Sequence, residues 1–287
     1  MLRKNGVKIA DSLPASDAVI INTCGFIKPA LKETEREIKS ILQLNNKKVY
    51  VYGCAVNRMR ELLTKKFPEI KNWYYINEQK RLIKDILNKA AKTNARFLTT
   101  YGFAYLKIAD GCSNHCSYCT IPIIKGEFRS SNFDDLINEA EAMAKIGIKE
   151  LILITQDTAR YGIDLYNKRM IVPLIRELSK IAGIEWIRLL YVHPNSLDDE
   201  LITEIKNNHK VCKYLDIPLQ HINDRILKLM NRRITKTEII RMIKKLKGIT
   251  LRTTIIAGFP TETKEEFDEL CYFLSRGHFD WFGVFKY

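Results

Sequence analysis

Short apolar runs alternate with helix-length amphipathic stretches from one end of this sequence to the other, and that pattern admits few folds. In the first ninety residues, 18–22 and 49–52 read as buried strands and 73–76 as a third. Helices are expected over 29–44 and 58–67. Strand–helix–strand order at this spacing predicts a parallel sheet with crossover helices. The alternation restarts at Ala104. Strands are expected at 105–109, 151–155, 186–191, 214–217, 251–256 and 281–285, with helices beginning near Asp134, Pro173, Leu197, Asp224, Lys236 and Lys264. Six units predict a partial (β/α)6 barrel, because a closed barrel takes eight. The fold class is therefore α/β, with a small amino-terminal domain over 1–92, a linker over 93–103 and the barrel over 104–287.

Composition narrows the function classes. The apolar fraction of 46% supplies a core, and no apolar run is long enough to span a membrane. The first six residues carry charge with no apolar region behind it, so no export signal is expected. Seven cysteines, three of them within eight residues, fit a reducing cytoplasm better than a disulfide framework. Lysine and arginine total 47 against 33 acidic residues, a net +14. Such a field suits polyanions such as RNA or a ribosome, but a lysine-rich solvated surface explains it equally well.

The chemistry concentrates in one loop. Cys112, Cys116 and Cys119 give the spacing Cys-x3-Cys-x2-Cys directly after the first barrel strand, so the sulfurs can converge at the carboxyl end of the barrel. A structural zinc wants four closed ligands, whereas three thiolates on a four-iron cluster leave one iron open to a small molecule. The competing reading makes His115 a fourth ligand in a zinc-stabilised RNA-binding module. Its adjacency to Cys116 makes that geometry poor. Cys24 and Cys54 each follow a predicted strand of the amino-terminal sheet, on the same edge, where ligands gather. Gly25 and Gly53 beside them would let the backbone approach a bulky group; two buried thiols are the alternative.

The segments YLKIADGCSNHCSYCTIPIIKGEFRS, ELILITQDTARYGIDLY, WIRLLYVHP, YLDIPLQHIND and LRTTIIAGFPTET resemble the radical S-adenosylmethionine superfamily. More narrowly they resemble its methylthiotransferases, above all those acting on ribosomal protein S12. The resemblance implies that Cys112, Cys116 and Cys119 hold a 4Fe-4S cluster whose open iron binds S-adenosylmethionine. It implies one-electron cleavage to a 5′-deoxyadenosyl radical, fed by a donor such as flavodoxin or ferredoxin. Tyr118 matches an aromatic position near the adenine, with core packing as the alternative. Gln156, Gln220 and Gly258, at the ends of the second, fourth and fifth strands, are the further cofactor positions. The implied product is a methylthio group on the β-carbon of an aspartate of S12, with tRNA adenosine methylthiolation as runner-up.

The resemblance also implies an auxiliary 4Fe-4S cluster on three amino-terminal cysteines. Only Cys24 and Cys54 occur here, and a carboxyl-terminal TRAM domain does not follow Tyr287, so truncation at both ends is expected. Ser131 stands where the family usually has Arg, and Thr261 where it usually has Gly. Other strand-end residues of interest are Asp157, bound to a cofactor amino group in this reading, and His221, meeting ribose or capping a helix. Arg188 is expected in the barrel lumen or in an ion pair, and Cys212 and Cys271 as packing residues. No catalytic acid or base is identified.

Overall fold

The structure is a computed structural model and describes residues 6–44, 47–88 and 100–287. The chain start, the last residues of the expected amino-terminal domain and 93–99 of the expected linker lie outside those residues. Two compact units form. One holds the described residues up to 88 together with Thr120–Gly126; the other holds Thr100–Cys119 and Glu127–Tyr287. Among the described residues no helix is long and apolar enough to cross a membrane.

The first unit is a three-stranded parallel sheet in the order β1 (Ala18–Thr23), β2 (Lys48–Gly53), β3 (Asn72–Tyr74). Helices α1 (Lys28–Leu42) and α2 (Cys54–Lys66) connect the strands. Val19, Ile21, Val49 and Val51 face Ile38, Ile41, Val56 and Leu63, which gives one dry layer. The opposite face carries Tyr50 and Tyr74, and helix α3 (Gln79–Leu87) covers it with Leu82. That helix has no counterpart in the sequence reading. Helix α2 starts four residues before the expected Arg58, because its backbone kinks at Met59 (φ −139°) and the regular periodicity begins only beyond the kink. The short helix α4 (Ile121–Lys125) completes the unit: the Asn57 side chain donates to the Ile124 carbonyl (2.8 Å) and accepts from the Ile76 N–H (2.7 Å).

The second unit is built on six parallel strands in sequential order: β4 (Phe103–Lys107), β7 (Glu150–Ile154), β8 (Trp186–Leu189), β9 (Val211–Asp216), β10 (Thr250–Ala257) and β11 (Trp281–Lys286). A two-residue antiparallel ladder of β5 (Ala109–Asp110) and β6 (Arg129–Ser130) brackets the cysteine loop and was not expected. Helices α5 (Phe133–Lys145), α6 (Ile163–Tyr166), α7 (Ile171–Lys180), α8 (Asp199–Asn207), α9 (Asp224–Leu229), α10 (Lys236–Lys245) and α11 (Lys264–Ser275) alternate with the strands. Register places Leu106, Leu153 and Leu189 in one row, fully buried. Each such side chain contributes about 1.5–3 kcal/mol of burial. Asn132, Asp198 and Asn223 cap their helices, and Thr235–Glu238 and Thr263–Glu266 form reciprocal capping boxes, so the helix starts are written locally.

One expectation changes: Cys271 is exposed on α11 instead of packed, whereas Cys212 is half-buried beside Arg188. Arg188 forms an ion pair with Glu150 (2.5 Å) and lies over the Tyr214 ring.

Thr261 occupies the left-handed region (φ +69°), with its hydroxyl and carbonyl both receiving Arg225 (3.2 and 2.7 Å). A β-branched residue is strained there by about 1–2 kcal/mol. Thr261→Gly should therefore raise the urea midpoint, by a net gain of up to about 1 kcal/mol after glycine's larger unfolded-state entropy. A lowered midpoint would assign the larger share to the Arg225 contact.

Candidate functional site

Loop 111–119 leaves the short β5 through Gly111, whose φ of +80° turns the chain back over the strand ends. The loop is clamped from two sides. On one, Asn114 donates to Asp157 (3.0 Å), and the Ser113 hydroxyl accepts from the Phe128 N–H (3.2 Å). On the other, the residues ending α9 hold it: Ser117 donates from N–H and hydroxyl to the Met230 and Leu229 carbonyls (3.1 and 2.8 Å), and Asn231 donates to the His115 carbonyl (2.8 Å). Arg232 donates to the Cys116 sulfur (3.8 Å), to the Tyr118 hydroxyl (3.0 Å) and to the Pro218 carbonyl. Cys112, Cys116 and Cys119 are all half-buried and in no disulfide. Burial pushes the Cys112 thiol up, against an Asn114 N–H that favours its thiolate.

His115 is exposed at a turn with φ +51°. Among the described residues no three His, Cys, Asp or Glu side chains gather in single-ion geometry, as a closed zinc site requires. A cubane makes a different demand, since each thiolate binds its own iron and the sulfurs stay apart.

Asp157 is a hub. It is fully buried and accepts from the Asn114 side chain, the Ser196 hydroxyl (2.6 Å) and the His193 N–H (3.2 Å). Burial pushes its carboxyl up, and those donors with Arg160 offset part of the rise. These three donors make Asp157 the tie between the cysteine loop and the 193–196 turn. His221 is held in turn: Nδ1 accepts from Asn223 N–H (3.0 Å), and Nε2 meets Glu262 (2.8 Å). The cap of α9 is Asn223 itself, so His221 holds the cap residue rather than capping the helix, and both its ring nitrogens have partners.

Around this clamp, seven buried side-chain atoms among the described residues lack a hydrogen-bond partner: Thr155 Oγ1, Gln156 Oε1, Arg160 Nε, His193 Nε2, Asp216 Oδ1, Gln220 Oε1 and Arg232 Nε. Native interiors leave few such atoms. Six follow the carboxyl ends of β7, β8 or β9 or close helix α9, and Asp216 is the last residue of β9. Gln220 also holds φ +73°, a strained conformation that aims a buried carboxamide without a partner for its oxygen. Three thiols beside a rim of unmet polar atoms fit an iron–sulfur cluster with a polar organic ligand on its open side.

Tyr118 packs against Ile226, Met230, Ile256 and Phe259, and burial pushes its phenol well up. Gly258 is exposed at φ +77°, with its N–H spent on Glu262. Arg232, Arg160, Asn114 and Ser117 did not come from sequence reasoning. The only local signal was a polar Asn-Arg-Arg run directly after an amphipathic helix.

His193 has an imidazole pushed down to about 3, first by burial and then by the Arg232 and Arg160 charges. Below its ordinary value of 6.5 the unfolded chain takes a proton that the folded one refuses. Stability is therefore fully present above pH 6.5 and falls as pH drops toward 3, by up to about 1.4 kcal/mol per pH unit for this group. His193→Asn keeps an acceptor for the Asn195 N–H and should flatten that slope in urea titrations. Identical slopes would place the acid sensitivity elsewhere.

In the first unit, Cys24 and Cys54 each follow the last registered pair of the β1–β2 ladder, Thr23 beside Gly53. Cys24 is exposed and Cys54 half-buried. A Cβ on Gly25 would stand 2.6 Å from the Cys54 carbonyl oxygen, and one on Gly53 2.8 Å from the Thr23 carbonyl. The glycines therefore serve the approach of two backbones to each other, rather than room for a bulky group as expected. The Thr23 hydroxyl ties the same edge, donating to the Tyr52 carbonyl (2.9 Å) and accepting from the Ala55 N–H (3.2 Å).

The radical SAM superfamily pattern matches residues 106–274, and an uncharacterized protein family, UPF0004, matches residues 1–74. Among solved structures, the radical S-adenosylmethionine methyltransferase TsrM from Kitasatospora setae is similar in fold, with a TM-score of 0.71 at 14% identity over 94% of this chain and 64% of its own. OxsB, a cobalamin-dependent S-adenosylmethionine radical enzyme, gives 0.62 over 90% of this chain and 43% of its own, at 14% identity. Sheet, loop and superfamily match define a radical SAM protein. The ribosomal protein uS12 methylthiotransferase RimO of Clostridium kluyveri is 44% identical over 99% of this chain and 69% of its own length. RimO of Aquifex aeolicus is 41% identical over 100% and 67%. The chain belongs to the RimO family of methylthiotransferases and spans about two thirds of the length of these relatives.

Proposed function

We propose that this protein adds a methylthio group to the β-carbon of an aspartate of ribosomal protein uS12, in the cytoplasm, using a 4Fe-4S cluster and S-adenosylmethionine. The observation that carries the reading is the likeness to RimO proteins along nearly the whole chain, 44% in the first case. In this reading Cys112, Cys116 and Cys119 hold the cluster, and the rim of Tyr118, Gln156, Gln220 and Gly258 meets S-adenosylmethionine. One-electron cleavage of the sulfonium is the chemistry the bound group supplies. No side chain can remove so weakly acidic a hydrogen as one on an unactivated carbon, so this reading asks for a radical at that step and not for an acid or base.

The protein's own part is placement. Asp157 and the end of α9 fix the thiol loop, the strained Gln220 presents its carboxamide, and neutral His193 offers Nε2–H. Ile226, Met230, Ile256 and Phe259 keep that side dry. Cys24 and Cys54 are two ligands of the auxiliary cluster, within an amino-terminal domain over 1–92 that a linker over 93–103 joins to the barrel over 104–287. A low-potential donor of the flavodoxin or ferredoxin class supplies electrons.

The test is anaerobic incubation of reconstituted, reduced protein with S-adenosylmethionine and small ribosomal subunits, followed by peptide and nucleoside mass spectrometry. A methylthio group on a uS12 aspartate is expected. Modification of a tRNA adenosine alone would transfer the activity to the other methylthiotransferase class, and zinc without iron or sulfide would end the enzymatic reading.

A further inference from the structure

Arg232 is 4% exposed, yet its partners are a thiol, a phenol and a main-chain carbonyl, and no carboxylate pairs with it among the described residues. A buried guanidinium without an anion costs several kcal/mol by the general rule for unpaired interior charge. Of these three partners, only the thiol is a group that an iron–sulfur cluster takes up as an anion. The Cys116 sulfur, 3.8 Å from Arg232 Nη1, is the group that can carry negative charge. Arg160 adds a second guanidinium on the loop, donating to Asn114 Oδ1 (3.4 Å), but there it faces the Asp157 carboxylate, which accepts from the same Asn114 (3.0 Å). Arg232 is thus the cation set directly against a sulfur of the loop.

We propose that Arg232 is a positioning residue that donates to the Cys116 thiolate and stabilises the reduced state of the cluster held by this loop. The inference rests on the reading of Cys112, Cys116 and Cys119 as cluster ligands. Reduction adds one electron from an external low-potential reductant and makes or breaks no bond, so the cluster and its thiolates gain one unit of negative charge. A fixed cation against a ligand sulfur favours that more negative state, and hydrogen bonds to the sulfurs are a known lever on cluster potential. Arg160, which reaches the loop through Asn114 and not through a sulfur, acts more weakly.

The experiment is a dithionite titration, followed by electron paramagnetic resonance, of the reconstituted 287-residue chain carrying Cys24→Ala and Cys54→Ala, so that one cluster reports. Arg232→Gln keeps donors and removes charge; Arg232→Lys keeps charge and removes the planar fork. Arg232→Gln should shift the reduction equilibrium at least tenfold toward the oxidised form, which is 59 mV for one electron. Arg232→Lys should stay near the parent, and Arg160→Gln between them. A parent that holds no iron would refute the ligand assignment itself. Iron retained with an unchanged potential in Arg232→Gln would overturn only the role of Arg232. Iron lost equally from the Gln and Lys variants would also overturn it, by marking a mere brace. Loss from Arg232→Gln alone would support it as the same charge dependence in stronger form.

Discussion

Replacing Cys112, Cys116 and Cys119 together by Ala should lower the iron content by about four atoms per chain, the complement of one cubane. The variant should release no 5′-deoxyadenosine above a protein-free control. The barrel should survive the change, because the three thiols are only half-buried and the loop's clamps use Asn114, Ser117 and main-chain groups. Circular dichroism and urea midpoint close to wild type are thus part of the expected result. Cys24→Ala with Cys54→Ala should instead leave 5′-deoxyadenosine release intact while abolishing methylthio transfer. Full iron retention in the triple variant would sink the ligand assignment, and unchanged turnover would remove the loop from the chemistry altogether.

What the sequence made legible was whatever is encoded within about a dozen residues. Strand β10 covers the expected 251–256, and the helices starting at Asp224, Lys236 and Lys264 begin where expected, because Asn223, Thr235 and Thr263 cap them locally. The cysteine spacing is equally local, and it marks loop 111–119 as the candidate site without any long-range information. The clamp on that loop was not legible. Ser117 meets Leu229 across 112 positions and Arg232 meets Cys116 across 116, and no periodicity announces either contact. Asp157 was visible as a strand-end carboxylate, but its three donors come together only once β7, the cysteine loop and the 193–196 turn are brought together. Helix α3 was missed for a related reason: its apolar face is written for Tyr50 and Tyr74, which one-sided sheet reasoning leaves uncovered. Gly25 was recognised as special for the wrong reason, since the close neighbour is the Cys54 backbone.

Asp157→Ala should be the most damaging single substitution away from the cysteines. The carboxylate is fully buried, and its removal strands the Asn114 amide, the Ser196 hydroxyl and the His193 N–H in a dry space. Each unmet donor costs roughly 1–3 kcal/mol. Relief of the buried charge and some water entry return part of that, so a net loss of about 3 kcal/mol is expected. The local consequence is larger than the global one suggests, because Asn114 is the loop's tie to the β7 side. Hydrogen exchange should quicken through 112–119 while the α9-side contacts of Ser117 keep their end slower. Iron should leave the reconstituted variant faster under a chelator than it leaves wild type. Asp157→Asn offers the separating control. It retains volume and one acceptor, so it can keep the Ser196 hydroxyl, which rotates, but it sets an amide against the Asn114 amide. It should therefore fall between wild type and Asp157→Ala in midpoint and in iron release. A midpoint for Asp157→Ala within error of wild type, with unaltered exchange in 112–119, would show that the hub does not hold the loop and that the α9 side suffices alone.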